Sequence, residues 1–267
     1  MRSWTADQVA ELDDVDARYS PALTRVETPE YLLFVVPDSS AFTCVRRFQA
    51  DSETTDSTID EVLHRVRSLR GTGMRWVINS RTRPVDIASR LLRRGFALSA
   101  AAEILYHDLG TKTDPSLPSA VAAGGIAVRE ASTREEVEAF VRLGGQIFHE
   151  PPPPVEFVEE LKSQTHEAVE ATGHSPLFLV LQGTVPIGRG GLTVTGSVGR
   201  LWTSGVLAQH RGKGAYQLLT RERCRVALER GAELAITHAV VDTSGRILKR
   251  HGFRSAGPYD YYRIQWD

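Results

Sequence analysis

The sequence predicts an α+β fold, or α/β with a mixed sheet, built as two similar halves. Three observations carry this. In the second half the apolar period switches between 2 and 3.6 residues in the order β, α, α, β, β, β, loop, α, β, α, β, which is neither an all-strand run nor strict βαβ alternation. Two stretches, Gly73 to Leu109 and Gly231 to Ile264, repeat one block of elements. Between the halves, Gly110 to Gly125 (GTKTDPSLPSAVAAGG) is rich in Pro and small residues and nearly free of charge, which reads as a linker.

The repeated block starts with Gly after an amphipathic helical pattern. It continues with a short apolar strand and a short helix, reaches Gly-Phe, and ends in an aromatic-rich strand. Gly95 lies 22 residues after Gly73, and Gly252 lies 21 after Gly231. The preceding helices also match in kind, with Ile59, Val62, Leu63 and Val66 in one and Ala215, Leu218, Leu219 and Val226 in the other. Repetition at this distance reads as internal duplication. Gly95 and Gly252 fall where each helix ends, a position that favours left-handed backbone. The predicted domains are therefore 1–112 and 125–267, joined by a linker at 113–124.

In the second half, GIAVREA reads as the first strand. A helix follows from Ser132 to about Ile147, with Ser132 and Glu135 as a capping box. Pro151 to Pro154 break the pattern, and a second helix runs from about Val155 to Thr172. PLFLVLQ and VPIGRGGLTVT form a strand pair turned at Gly183-Thr184, and VGRLWTSGVL is a further strand.

Composition narrows the classes. Of 267 residues, 41% are hydrophobic and 24% charged, a globular balance. Up to Lys112 there are 15 Lys/Arg against 16 Asp/Glu, and after it 17 against 17, so neither half has the basic excess that nucleic-acid binding favours. The two cysteines, Cys44 and Cys224, stand in no metal-ligand spacing, so no metal is expected, and they read as free thiols in a reducing compartment. The N-terminus has no apolar signal-peptide core, and no apolar run is long enough to span a bilayer. The expectation is a cytoplasmic protein, with the oligomeric state left open.

The most informative stretch is Val206-Leu-Ala-Gln-His-Arg-Gly-Lys-Gly-Ala215. A strand runs into two glycines and two cations at the mouth of a helix. The first amides of a helix lack intrahelical partners, and the helix dipole adds positive potential, so anions bind there. Glycine lets the backbone bend into a nest. The segment is built to hold a phosphate or pyrophosphate. It is not a P-loop, since Leu207 stands where the first Gly belongs and Gly214 where Ser/Thr belongs. It is not a dinucleotide fingerprint, since Leu218 and Leu219 replace the third Gly.

Gln209-x-x-Gly212-x-Gly214 between strand and helix resembles motif A of the GNAT superfamily of acyl-CoA N-acyltransferases. The resemblance extends over about Ile126 to Ile264. It implies two GNAT-like domains, each a mixed, largely antiparallel sheet flanked by helices. It implies acetyl-CoA as co-substrate, with Gln209, Arg211, Gly212, Lys213, Gly214 and Ala215 around the pyrophosphate and Val206 and Leu207 pairing with the pantetheine. The partner it implies is a small-molecule amine or a peptide acceptor. His149 and Glu150, before the proline run, fall where the acceptor site is expected, or else flank a stiff turn. The chain departs from the pattern at Leu248, where many members carry a Tyr, and in lacking a carboxylate on the strand before the loop. His238 is a substitute base or a structural residue of its strand. Tyr259 is a substitute acid or a core aromatic. Before the matching helix of the first half stand Asp51, Glu53 and Asp56 and no glycine, so this half is expected to be a degenerate copy that repels pyrophosphate. The alternative to turnover is an acyl-CoA sensor or an interaction protein.

Overall fold

The computed structural model describes residues 4–14, 23–110, 125–163 and 175–266. Its first elements are α1 (Ala6–Asp14), β1 (Thr24–Glu27), β2 (Tyr31–Val36) and β3 (Ser39–Phe48), followed by α2 (Thr55–Ser68). The i, i+3, i+4, i+7 pattern of α2 does what it predicts, since Ile59, Val62, Leu63 and Val66 are all buried. β4 (Gly73–Asn79), α3 (Ile87–Arg93), β5 (Ala97–Ala100) and β6 (Ala102–Asp108) complete the first half of the chain. The second half holds β7 (Ile126–Glu130), α4 (Arg134–Phe148), α5 (Val155–Ser163), β8 (Leu177–Gln182), β9 (Val185–Thr195) and β10 (Val198–Val206). It ends with α6 (Ala215–Glu229), β11 (Leu234–Val240), α7 (Arg246–Arg250) and β12 (Arg254–Gln265). The α/β character and the order of elements agree with the sequence pattern.

Two units divide the chain, and not by one cut at the linker. An N-terminal unit takes Thr5–Ile104, Ala239–Gly245 and Ser255–Asp267, and a C-terminal unit takes Met1–Trp4, Leu105–His238 and Arg246–Arg254. The linker at 113–124 and the expected continuation of α5 to Thr172 lie outside the described residues.

In the N-terminal unit the strand order is β1-β2-β3-β4-β12. Every pair is antiparallel except β3 with β4. The last strand of the sequence belongs here because it completes this core. Tyr262 faces Trp76 and Ile264 faces Met74 in register, and Tyr262, Ile264 and Trp266 pack on the buried cluster. Trp76 is fully buried between Phe48 and Phe96, at ring centroid distances of 5.0 and 6.0 Å. Phe96 reaches that place because Gly95 ends α3 at φ 87°, a left-handed turn that reverses the chain inward.

In the C-terminal unit the order is β7-β8-β9-β10-β11, again antiparallel except for one pair, β10 with β11. Both units therefore place their parallel pair across one helix, β3-α2-β4 and β10-α6-β11. α4 and α6 pack on opposite faces of the C-terminal sheet. Adjacent residues of β9 show this, since strand side chains alternate. The guanidinium of Arg189 lies over Phe140 of α4, and a Cβ on Gly190 would sit 3.1 Å from Leu219 of α6. Val137, Phe140, Leu143 and Ile147 of α4 cover Leu177, Leu179 and Leu181 of β8.

The start of α4 lies one residue later than its sequence signal. Thr133, not Ser132, is the N-cap, and its side chain and that of Glu136 form the capping box. Both Ser132-x-x-Glu135 and Thr133-x-x-Glu136 satisfy the pattern. Arg129, paired with Glu136, and the Ser132 amide, bonded to Glu136 at 2.7 Å, select the second.

Candidate functional site: a splayed strand pair and a glycine loop

β10 and β11 run parallel in register from Val198↔Leu234 to Leu201↔Thr237 and no further. The Thr237 hydroxyl donates to the Leu201 carbonyl at 2.8 Å, marking the point where pairing stops. Beyond it, Trp202–Val206 has no register partner on β11. On its other side β10 stays paired with β9 through Gly205↔Arg189 and Val206↔Gly188, after a bulge between Trp202 and Gly205. Thr203 sits in that bulge at φ 44°. The result is a strand end paired on its β9 side and without a register partner on its β11 side.

The loop follows at once. The Leu207 amide is tied to the Ile187 carbonyl at 2.9 Å, and Ala208–His210 make one tight 3-10 turn. His210 is braced by Gln182 at 2.9 Å, and Arg211 folds back so that its Nε donates to the Val206 carbonyl at 3.0 Å. Gly212 and Gly214 take φ 78° and 80°, which turn the chain into α6. Gly214 is the N-cap and brings no side chain to bond the first amides of the helix. Among the described residues, the amides of Gly212, Lys213 and Gly214 donate to no backbone carbonyl. The first turn of α6 carries no acidic residue. These donors and the adjacent Arg211 and Lys213 fit a pyrophosphate.

The matching helix of the N-terminal unit is arranged the opposite way. Asp56 stands in the first turn of α2 and pairs with Arg90 and, at 2.8 Å, with Arg94. The Arg94 hydrogen bond above all holds this carboxyl below its usual range. A helix N-terminus that an anion seeks is here faced by the protein's own carboxylate.

On the α4 face of β10 a second set of residues converges. A Cβ on Gly205 would lie 2.4 Å from Ile147 and 3.3 Å from Phe148, so the last turn of α4 rests directly on the strand end. His149 closes α4 in a left-handed conformation at φ 55° and is exposed. Glu150 is half-buried and lies close enough to Arg189 to favour its charge. The expected acceptor-site residues are thus beside the strand end. Arg189, not singled out in the sequence, joins them. Its only advance signal was the Gly144-Gly145 pair inside a helical pattern.

The two substitute proton carriers are placed differently. His238 directly follows Thr237, half-buried, where the β10–β11 pairing has ended. Tyr259 belongs to the N-terminal unit, opposite Asn79 in the β4–β12 register, and is 1% exposed. Burial raises its pKa well above the ordinary phenol value. It is a core aromatic, sealed from solvent, and is not part of the unit that carries the loop. Leu248 is 2% exposed. With Cys224, His251, His107 and Phe253 it lines a cavity of about 20 Å³, room for about one water.

No protein-family model matches the chain, and no curated protein matches it in sequence. Solved structures do match. A GCN5-related N-acetyltransferase from Kribbella flavida is similar over 97% of this chain and 95% of its own, with TM-score 0.66 and 17% identity. The chain has the GNAT fold. A GCN5-related N-acetyltransferase from Sphaerobacter thermophilus matches 88% of this chain and 80% of its own, with TM-score 0.60 and 16% identity. A tandem GNAT protein from the clavulanic acid biosynthesis pathway matches 97% and 93%, with TM-score 0.58 and 14% identity. On this GNAT fold, the resembling motif lies between β10 and α6. Among the described residues no helix is long and apolar enough to cross a membrane.

Proposed function

We propose that the protein is an acyl-CoA-dependent N-acyltransferase, acting with acetyl-CoA or another short acyl-CoA on an amine acceptor. One observation carries the reading. The undonated amides of Gly212–Gly214 stand at the helix mouth directly beyond a strand end whose β11-side edge has no register partner. In this reading the amides from Arg211 to Ala215, with Lys213 and Gln209 beside them, hold the coenzyme pyrophosphate. Val206 and Leu207 meet the pantetheine. The N-terminal unit, with Asp56 at the corresponding helix mouth, binds no coenzyme.

The reaction is direct transfer. The neutral amine attacks the thioester carbonyl carbon, the C–S bond breaks, and the amine proton leaves as coenzyme A departs as thiolate or thiol. Holding both reactants at one strand end supplies most of the acceleration. A strand amide near Val206 polarises the carbonyl oxygen. His238 is the nearest imidazole in sequence to the end of pairing and is our candidate for the base.

Titration calorimetry with acetyl-CoA tests the reading. A Cβ at Gly212 meets nothing within 4 Å, so Gly212→Glu sets its carboxylate at the helix mouth without a clash, while φ 78° adds backbone strain, and a melting curve without ligand checks that the variant is folded. We expect about one site per chain, weakened at least 100-fold in Gly212→Glu. No binding to the unaltered protein sinks the proposal. The buried Leu248 and the absence of a carboxylate on β10 favour a second reading, an acyl-CoA sensor without turnover. Binding without thiol release across a panel of amines separates it from the enzyme.

A further inference from the structure

Arg189 is placed as a binding group and not only as a packing group. It stands opposite Gly205 in register, one residue from the end of β10. Its side chain crosses to the α4 face, where Nη1 donates to the Phe140 carbonyl at 2.8 Å. The guanidinium lies 4.2 Å from the Phe140 ring centroid and 5.6 Å from that of Phe148. α4 makes room for it with Gly144, where a Cβ would come within 2.4 Å of Nη1. A glycine in a helix interior is less favourable than Ala, so the chain gives up helix stability to admit this cation.

The remaining donors are unspent. Nε is buried with no hydrogen-bond partner, and Nη2 donates to no described residue. Nε and Nη2 share one edge of the guanidinium, the planar fork that grips a carboxylate through two parallel bonds. Arg189 forms no ion pair with a described carboxylate. Burial pushes the guanidinium down to about 10, with Glu150 opposing, so it stays charged at neutral pH. Apolar side chains often replace buried ionic groups without loss of stability, so packing on Phe140 and Phe148 does not by itself call for a guanidinium here. Arg223, an arginine buried on the other face of the sheet, differs. It is 1% exposed on the α6 face, and its Nε and Nη1 bond the Leu219 and Gly191 carbonyls at 3.3 and 3.2 Å.

We infer that the Nε–Nη2 edge of Arg189 binds a carboxylate on one of the two reactants at the end of β10. Building on the proposed transferase reading, this narrows the substrate class. The carboxylate belongs either to the acceptor, as in an amino acid, or to the acyl group, as in a dicarboxylic acyl-CoA.

Thiol release distinguishes the sources. One arm compares L-alanine and L-phenylalanine with their decarboxylated amines, using acetyl-CoA. The other compares succinyl-CoA with acetyl-CoA, using an amine without a carboxylate. We expect a carboxylate preference in one arm, and a fall of at least about 50-fold in that kcat/KM ratio in Arg189→Met. Arg189→Lys, a point charge without the fork, should restore only part of it. Gly144→Ala, which displaces the guanidinium without removing it, should also lower the ratio. A ratio unchanged in Arg189→Met overturns the inference, whatever the absolute rates, and so does the lack of preference in both arms.

A readout independent of turnover covers failure of the transferase reading. In ¹⁵N–¹H spectra of the arginine side chains, the Nε signal absent from Arg189→Lys should shift on titration with succinate and not with succinamide. No shift with succinate overturns the inference even if acetyl-CoA binds.

Discussion

At the scale of single residues, charge and burial set measurable properties. Glu136 feels burial first, which raises its pKa. The Arg129 guanidinium and the Ser132 and Thr133 amides outweigh that and hold it at about 2. Its folded value lies below its ordinary value, so its stabilisation is complete above about pH 4.5 and is lost as pH falls through the folded value near 2. Solvent screening of this pair at the helix start leaves on the order of 1–2 kcal/mol at stake. Thermal melts between pH 7 and 2 should show Glu136→Gln less stable at pH 7 and the two proteins converging near pH 2; parallel curves refute this. The cysteines make a second case. Burial pushes the Cys224 thiol up to about 12, whereas Cys44 is half-buried. Since the thiolate is the reactive form, mass spectrometry after brief maleimide treatment should find Cys44 modified and Cys224 intact until the protein is unfolded. The cysteine pair was legible as free thiols in the sequence. Which of the two is sealed was not, because burial of Cys224 depends on how α6 packs.

At the scale of elements, the glycines at helix ends were readable and the cation behind a helix was not. Gly95 and Gly252 take φ 87° and 82°, as their place after a helix implied. At Gly95 the nearest neighbour of an added Cβ is Ile264 at 3.8 Å, an ordinary contact. Gly95→Ala should therefore cost only the conformational penalty, about 1–2 kcal/mol, seen as a lower urea midpoint with unchanged m-value. A much larger loss would mean that the turn is coupled to packing. Gly144 and Gly145 carried a signal too, since glycines are unfavourable inside a helix, but the group that Gly144 admits comes from β9, 45 residues on in the chain. No local pattern connects the two. The one-residue offset at the start of α4 has the same origin. Two capping boxes were available locally, and Arg129, from the preceding strand, decided between them.

At the scale of the molecule, the strongest departure from a sequence cut is β12. It pairs with β4 from Tyr259↔Asn79 to Gln265↔Gly73, so residues 1–112 lack a strand of their own unit. A 1–112 fragment should show no cooperative unfolding transition and no near-ultraviolet signal from the buried Trp76. Joining 255–267 to its C-terminus through a flexible linker should restore both. A fragment that folds cooperatively without β12 would show that this strand is dispensable to the N-terminal core. Both units cross from one strand of their parallel pair to the other through the helix between them, a likeness that the repeated block of the sequence leads one to expect. Their helix mouths differ in charge, glycine and cations in one and Asp56 with two arginines in the other.

The order of residues carried the helices and strands of the second half, the helix stops at Gly95 and Gly252, and a glycine turn with two cations at the mouth of α6. Each of these rests on contacts within a few residues, through periodicity, capping and glycine backbone freedom. Tertiary structure alone decided that the last strand completes the first unit, that Tyr259 is sealed in a core, and that Arg189 meets the end of α4 beside the strand end. Those depend on pairing between segments far apart in the chain, and a register of hydrogen bonds leaves no mark in the local order of residues.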